Sequence, residues 1–343
     1  MRVINRQSTA KCNDEKYTLY LLSDYNYTSC TRLAQIMENI SHDSVNRFLE
    51  RERFEPEDIF NEVKDTIELV GGTLSVDDSV LDKPYSDPKK TDLIDSFWSG
   101  KHKRTVKGIN LISLFYTDIN GVSVPVNYRV YDKSENKTKN DYFREMLSEA
   151  LAFGLSPAWV TGDCWYSSLD NLKFIRKKEI NFLFGIESNR RISIERGQYI
   201  QVQTLEDWSD DGNMVYLKDY GVVKVYRQLY KKVYRYYIMS TSNKDDLGGI
   251  NKTDFERVHS AHWCIERYHR AIKQVCNIEK FQVRKTQSIM THIFCALKGF
   301  IKLELMRADG AISHWYEVKR DLFVETMRNF IKNNAYQDPG VNA

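Results

Sequence analysis

The sequence predicts an α/β fold, a mixed sheet with flanking helices that is interrupted by a β-rich insertion, with a helical domain before it and a helical tail after it. Three observations carry this. Three segments rich in β-branched residues follow one another over residues 73–131, short strands then alternate with helical periods, and both ends of the chain space their apolar residues three and four apart. With 343 residues the chain has material for two or three domains and a sizeable core.

Residues 28–70 read as short helices. Leu33, Ile36 and Met37 share one face of a first, Asn39 to Asp43 break it, and Val45, Phe48 and Leu49 line a second. A third starts at Pro56, turns Ile59, Val63 and Ile67 inward and stops at Gly71-Gly72. The pair with its polar break has a helix-turn-helix pattern, which would put Asn46, Arg47 and Arg51 in a DNA major groove; a plain three-helix bundle has the same pattern, and Glu50 and Glu52 would repel phosphates. Strands follow at Thr73–Val80, Val106–Thr117 and Val122–Tyr131, with Asp118 to Gly121 as the hairpin turn between the last two. Next come a helix over Asp141–Phe153, a strand over Ala158–Thr161, a helix over Ser168–Lys178 and a strand over Asn181–Ile186. Residues 189–235 break this rhythm with strand-like segments and polar turns, and read as an inserted β region. A strand at Tyr236–Thr241 and a long helix over Thr253–Val275 resume it, and helices over Thr286–Arg307 and Tyr316–Asn333 complete the chain. The domains expected are therefore 1–70, helical; 73–278, with the insertion at about 189–235; and 279–343, helical.

Composition excludes several classes. The apolar stretch Ile293–Leu305 is interrupted by Lys298, Lys302 and Glu304, too short for a membrane span, and the N-terminus lacks the apolar segment of a signal peptide, so a soluble cytoplasmic protein is expected. Six scattered cysteines without a CxxC pair argue against a zinc site or a disulfide framework. A net charge of +3 does not by itself mark a nucleic-acid binder, so local clustering must decide.

The first strand ends in LSVDDSVLDK, which would place Asp77 and Asp78 where it leaves the core, and Asp163 ends the strand before the helix at Ser168. Carboxyl ends of strands are where open α/β sheets bind ligands, although an aspartate there is commonly a turn former or cap. In the helix HSAHWCIERYHRAIKQ, a step of about 100° per residue brings His259, His262, His269, Arg270 and Lys273 within about 60° of Glu266, with Ala261, Cys264, Ala271, Ile272 and Val275 opposite. One acid among imidazoles and fixed cations suits phosphates better than the mixed signs of an ordinary solvated face.

Asp77-x-Ser79, a strand-end Asp163 followed by aromatics and serines, and Trp263-x-Ile265-Glu266-x6-Lys273 together resemble the DDE transposases of bacterial insertion sequences. The branch resembled has a Tyr-x2-Arg-x3-Glu-x6-Lys signature, in which this chain keeps Glu266 and Lys273 but has His259 and His262 at the Tyr and Arg positions. The resemblance spans Thr73–Val275 and implies a ribonuclease H-like catalytic fold, often with a β insertion before the last acidic helix. It further implies that Asp77, Asp163 and Glu266 hold two Mg²⁺ or Mn²⁺ ions, hard cations suited to carboxylates, for cleavage and strand transfer of double-stranded DNA at terminal inverted repeats and a target. Spacing to Ser79 favours Asp77 as the first acid, and Asp78 is the fallback on the opposite face. A homodimer on DNA and association with a bacterial nucleoid are expected on the same basis. A DNA-binding protein without catalysis and a nuclease without strand transfer are the competing expectations.

Lys273 and Arg270, with His262 more weakly, are candidates to hold DNA phosphates because they share the stripe of Glu266. Lys101, His102, Lys103, Arg104 and Lys107 form a stretch without acids. Val223–Tyr237 mixes five cations with five tyrosines, which fits either nucleic acid or a hairpin with a charged and an aromatic face. Trp165 and Tyr166, beside Asp163, suit base stacking or core packing.

Overall fold

Polar caps set where the chain turns helical. In the computed structural model, which describes residues 10–25, 28–195 and 197–333, Asn13, Ser29 and Ser41 accept from the amides of Lys16, Arg32 and Ser44, starting α1 (Asp14–Ser23), α2 (Cys30–Met37) and α3 (His42–Arg51). A proline at the first position opens α4 (Pro56–Asn61). There follow β1 (Thr73–Asp82), β2 (Asp95–Ser99), β3 (Arg104–Thr117), β4 (Ser123–Val130), α5 (Lys139–Ala152), β5 (Trp159–Gly162), α6 (Leu169–Lys177) and β6 (Asn181–Ile186). Then come β7 (Arg191–Ser193), β8 (Tyr199–Gln201), β9 (Asn213–Leu217), β10 (Gly221–Tyr230), β11 (Val233–Ser240), α7 (Lys252–Gln274), α8 (Thr286–Ala308), α9 (Glu317–Asp321) and α10 (Val324–Asn333).

Residues 54–269 form one unit around a single sheet with strand order β2-β3-β1-β5-β6-β11-β10-β9-β7-β8, and β4 pairs with β3. The strands β4, β3 and β1 are antiparallel, β1, β5 and β6 are parallel, and β11 returns antiparallel to β6. Asp118 shapes the β3–β4 turn by accepting from the amides of Asn120 (2.9 Å) and Val122 (2.8 Å), with Gly121 at φ 84°. On one face, α5 buries Tyr142, Phe143, Met146 and Leu147. On the other, Tyr268 of α7 stacks on Phe115, ring centroids 4.7 Å apart, and its hydroxyl lies 3.3 Å from Ser113 Oγ.

Residues up to Arg53 and from Arg270 onward form the second unit, which is helical. α8 is buried along most of its length, and α1 and α3 pack on it. Tyr17 OH meets His292 Nδ1 at 3.0 Å, and Glu304, fully buried, accepts from Trp315 Nε1 and Arg307 Nε at 2.7 Å each.

The mixed sheet with flanking helices matches the expected fold class, and several details depart from expectation. The boundaries fall elsewhere than at 70 and 279, because α8 has apolar surface that the early helices cover, so the two helical ends make one unit. Neither α1 nor β2 was expected. The third helix stops at Asn61, and the last helical segment divides into α9 and α10. The insertion extends the sheet through β10 and β11. Among the described residues no helix is long and apolar enough to cross a membrane.

Candidate active site

The parallel pairing of β1 with β5 sets Val76 against Gly162, so Asp163, just past the end of β5, comes out beside Asp77, which lies mid-strand rather than where the strand leaves the core because β1 runs on to Asp82. Alternation along each strand turns Asp77 to the side of Ser75 and Asp163 to the side of Thr161, whose hydroxyls bond at 2.9 Å. This is the face that α7 covers. Only glycine fits at 162, since a Cβ there would stand 2.6 Å from Phe184 Cε1 and 2.9 Å from Val76 Cγ1. The chain leaves β5 through a 3₁₀ turn capped by Asp163, whose Oδ1 accepts from Trp165 N at 2.9 Å. The aspartate thus serves as turn former while its carboxylate stays at the strand end.

Across from this pair, α7 contributes Glu266, which is exposed, and His269, whose Nδ1 lies 3.4 Å from Asp77 Oδ2. The acids sense one another. Burial and then the charges of Glu266 and Asp78 hold the Asp77 carboxyl well above the usual carboxylate range. Asp163 reaches solvent, yet desolvation by the protein around its carboxyl, followed by the charges of Asp77 and Asp78, pushes it up to about 7.

Mutually repelling oxygen donors fit a hard divalent cation. Among the described residues no three His, Cys, Asp or Glu side chains yet gather closely enough to hold one, and Glu266, exposed, is the acid with room to turn toward the aspartates.

The raised Asp163 has a thermodynamic consequence. A carboxyl whose folded value exceeds its unfolded value near 3.8 favours the folded state while protonated, and that contribution is lost as pH rises through about 7. The Asp163→Asn protein is therefore expected to melt increasingly above the parent between about pH 4 and pH 7, with the gap constant at higher pH. Thermal melts in chelator across that range check it, and saturating Mg²⁺ should narrow the gap by stabilising the parent.

Asp78 faces the opposite side of the sheet. Its Oδ2 accepts from Asn110 Nδ2 (2.7 Å) and pairs with Lys139 Nζ (2.8 Å), while Oδ1 accepts from Tyr166 OH (3.2 Å). These three partners hold it on that face, which favours Asp77 over Asp78 as the reactive carboxylate. Neither Asn110 nor Lys139 was singled out from the sequence, because only the register of β1 with β3 and the start of α5 bring them here. Tyr166 is buried, whereas Trp165 is 61% exposed beside Asp163, with Lys139 Nζ 5.5 Å from its ring.

The histidine stripe of α7 needs correction. His262 was expected to approach DNA phosphates, but its Nδ1 lies 3.1 Å from Thr161 Oγ1, and burial followed by the charges of His259 and His269 pushes it down to about 3. The imidazole is thus tucked against β5 without a fixed charge to offer a phosphate. His259 is likewise lowered, by burial and then Arg235, and its Nε2 meets Tyr237 OH at 3.1 Å. The stripe is polar in residue type, yet its imidazoles pack inward against the sheet.

The remaining basic candidates are dispersed. Lys103, Arg104 and Lys107 are exposed on the β2–β3 hairpin, while neighbouring Lys101 and His102 pair with Asp82 at 3.4 and 2.8 Å. In the helical unit Arg51 and Arg270 are exposed, Arg47 is half-buried and Lys273 pairs with Glu279 at 3.4 Å. In the β10–β11 hairpin, Arg227 lies over Trp208 (5.0 Å) and Tyr234 (4.8 Å), and Arg235 over Tyr230 (4.1 Å), so much of its charge stacks on its own rings.

The sequence profile of the transposase DDE domain matches residues 71–297, a span that includes Asp77, Asp163 and Glu266. Among curated proteins none matches the chain by sequence. Of solved structures, a piggyBac transposase synaptic complex with hairpin DNA gives a TM-score of 0.46 at 14% identity, covering 96% of this chain and 74% of that one. A Drosophila P element transposase strand transfer complex gives 0.27 at 9% identity, covering 96% and 76%.

Proposed function

The chain belongs to the transposase DDE-domain family, and we accordingly propose that it cuts double-stranded DNA at the terminal inverted repeats of its own element and joins the freed 3′ ends to a target. The observation that carries this reading is the β1–β5 register, which sets Asp77 beside Asp163 on the face where α7 brings Glu266. Asp77, Asp163 and Glu266 would hold two Mg²⁺ or Mn²⁺ ions. When bound, such a pair activates the attacking oxygen and stabilises the leaving one.

The protein's own groups have separate work. Lys139, Asn110 and Tyr166 fix Asp78 and with it the stretch of β1 that carries Asp77. His269 approaches Asp77 from α7 and limits the directions its carboxylate can take. Lys103, Arg104 and Lys107, with Arg270, Lys273, Arg47 and Arg51, are proposed to neutralise DNA phosphates. A homodimer on DNA would pair two element ends for coordinated cutting.

The test uses the full chain with labelled duplexes carrying the element's ends. New 3′ ends that require Mg²⁺ or Mn²⁺, and joined products when pre-cut ends meet a target plasmid, are the expected results. Binding without cutting would reduce the protein to a DNA-binding one, and cutting without joining to a nuclease.

A further inference from the structure

Arg190, Arg191 and Lys218 line one open pocket at the edge of the insertion, together with Asn189, Gln201 and Leu217. The pairing of Ile192 with Leu217 between β7 and β9 brings Arg191 and Lys218 abreast, although they are distant in sequence. No acid lines this pocket, and among the described residues no carboxylate pairs with any of the three cations. Arg190 is half-buried, and burial alone lowers its guanidinium from the ordinary range, though an arginine stays charged at neutral pH. A desolvated guanidinium without a counter-charge is costly unless an anion completes it. Gln201 has its amide oxygen taken by Gln203 Nε2 at 2.7 Å, which leaves its N–H donors for such an anion.

Two hydrogen bonds link the pocket to the turn that follows Asp163. Arg190 closes a turn that opens at Glu187, its amide donating to Glu187 O at 2.9 Å. Glu187 in turn accepts from the thiol of Cys164, the residue after Asp163, at 3.0 Å. We infer that Arg190, Arg191 and Lys218 form a binding site for DNA backbone phosphates, gripping the strand that runs on from Asp163. The inference rests on the reading that the protein acts on DNA. Arginine suits this role through its planar fork of donors, and lysine as a point charge.

The experiment compares the full-length parent with a variant carrying Arg190→Gln, Arg191→Gln and Lys218→Gln, using end-containing duplex DNA in chelator so that no strand is cut. Each neutralised phosphate steepens the fall of log affinity against log salt by about 0.9, so without these three cations the slope should flatten by roughly 2 to 3 and affinity at low salt should drop by about 10-fold or more. Melting curves establish that the variant is folded, and a single Lys218→Gln protein, changed only at an exposed side chain, should flatten the slope by about 0.9. Unchanged slope and affinity in the folded variants overturn the inference, even if inorganic phosphate alone raises the parent's melting temperature in a manner the triple variant lacks, since the site would then take free anions only. The two readings fail separately. A parent that cuts DNA while the variants keep its salt slope loses this site alone, and a parent that binds with the expected slope difference yet never cuts loses the catalytic reading alone.

Discussion

The Asp77→Asn protein is expected to fold, to melt no lower than the parent in chelator at neutral pH, and to lose DNA cutting by roughly 10³-fold or more, the scale on which one member of a cooperating catalytic set acts. The stability half follows from the carboxyl's position. Asp77 is held high by burial and by the charges of Glu266 and Asp78, so keeping it ionised at neutral pH costs the folded state. Asparagine keeps the shape and removes the charge, and a gain of about 0.5–2 kcal/mol is expected, as when functional-site strain is relieved. The catalytic half follows from losing an anionic oxygen where a cation must be held. Melting curves with and without Mg²⁺, beside a cleavage assay, read both halves. A variant that cuts normally would remove Asp77 from the site, and one that unfolds would make it structural.

Its neighbour should behave in the opposite way. Asp78→Ala is expected to lower stability by about 2–4 kcal/mol, just under the range for breaking a fully buried ion pair, because the Asp78 and Lys139 side chains are 18% and 20% exposed. The change strands the Lys139 ammonium and the buried Tyr166 hydroxyl on the α5 side of the sheet. Urea unfolding measures the loss. Cutting per folded molecule should remain within about tenfold of the parent, since this carboxylate is held by Asn110, Lys139 and Tyr166 on the opposite face of the sheet. If Asp78→Ala abolished cutting at full stability while Asp77→Asn did not, the two roles would be exchanged.

The contrast between these adjacent aspartates was legible in sequence, since a strand period of two separates their faces, and Asp77-x-Ser79 favoured the first. The strands carrying Asp77 and Asp163 were also legible, because β-branched runs bounded by turn residues mark their own limits. What one sequence could not supply was the third dimension of packing. A helical wheel sorts the α7 histidines by angle, but it cannot tell that the sheet rises to meet them, so His262 read as a weak phosphate contact although it packs against Thr161 and burial lowers it. The short helix α1 escaped because its buried residues include Thr18 and Tyr20 and so blur the apolar period. β2, with only Phe97 and Ser99 buried, gives little alternation to read. Lys139 and Asn110 at Asp78, and Arg191 beside Lys218, become neighbours only through register and strand order, which residue types do not encode locally.

The insertion is wired into the same ladder of backbone bonds as the strand that ends at Asp163, from β5 through β6 and β11 to β10. A displacement of its outer strands would therefore be passed on, bond by bond, toward the strand that ends at Asp163.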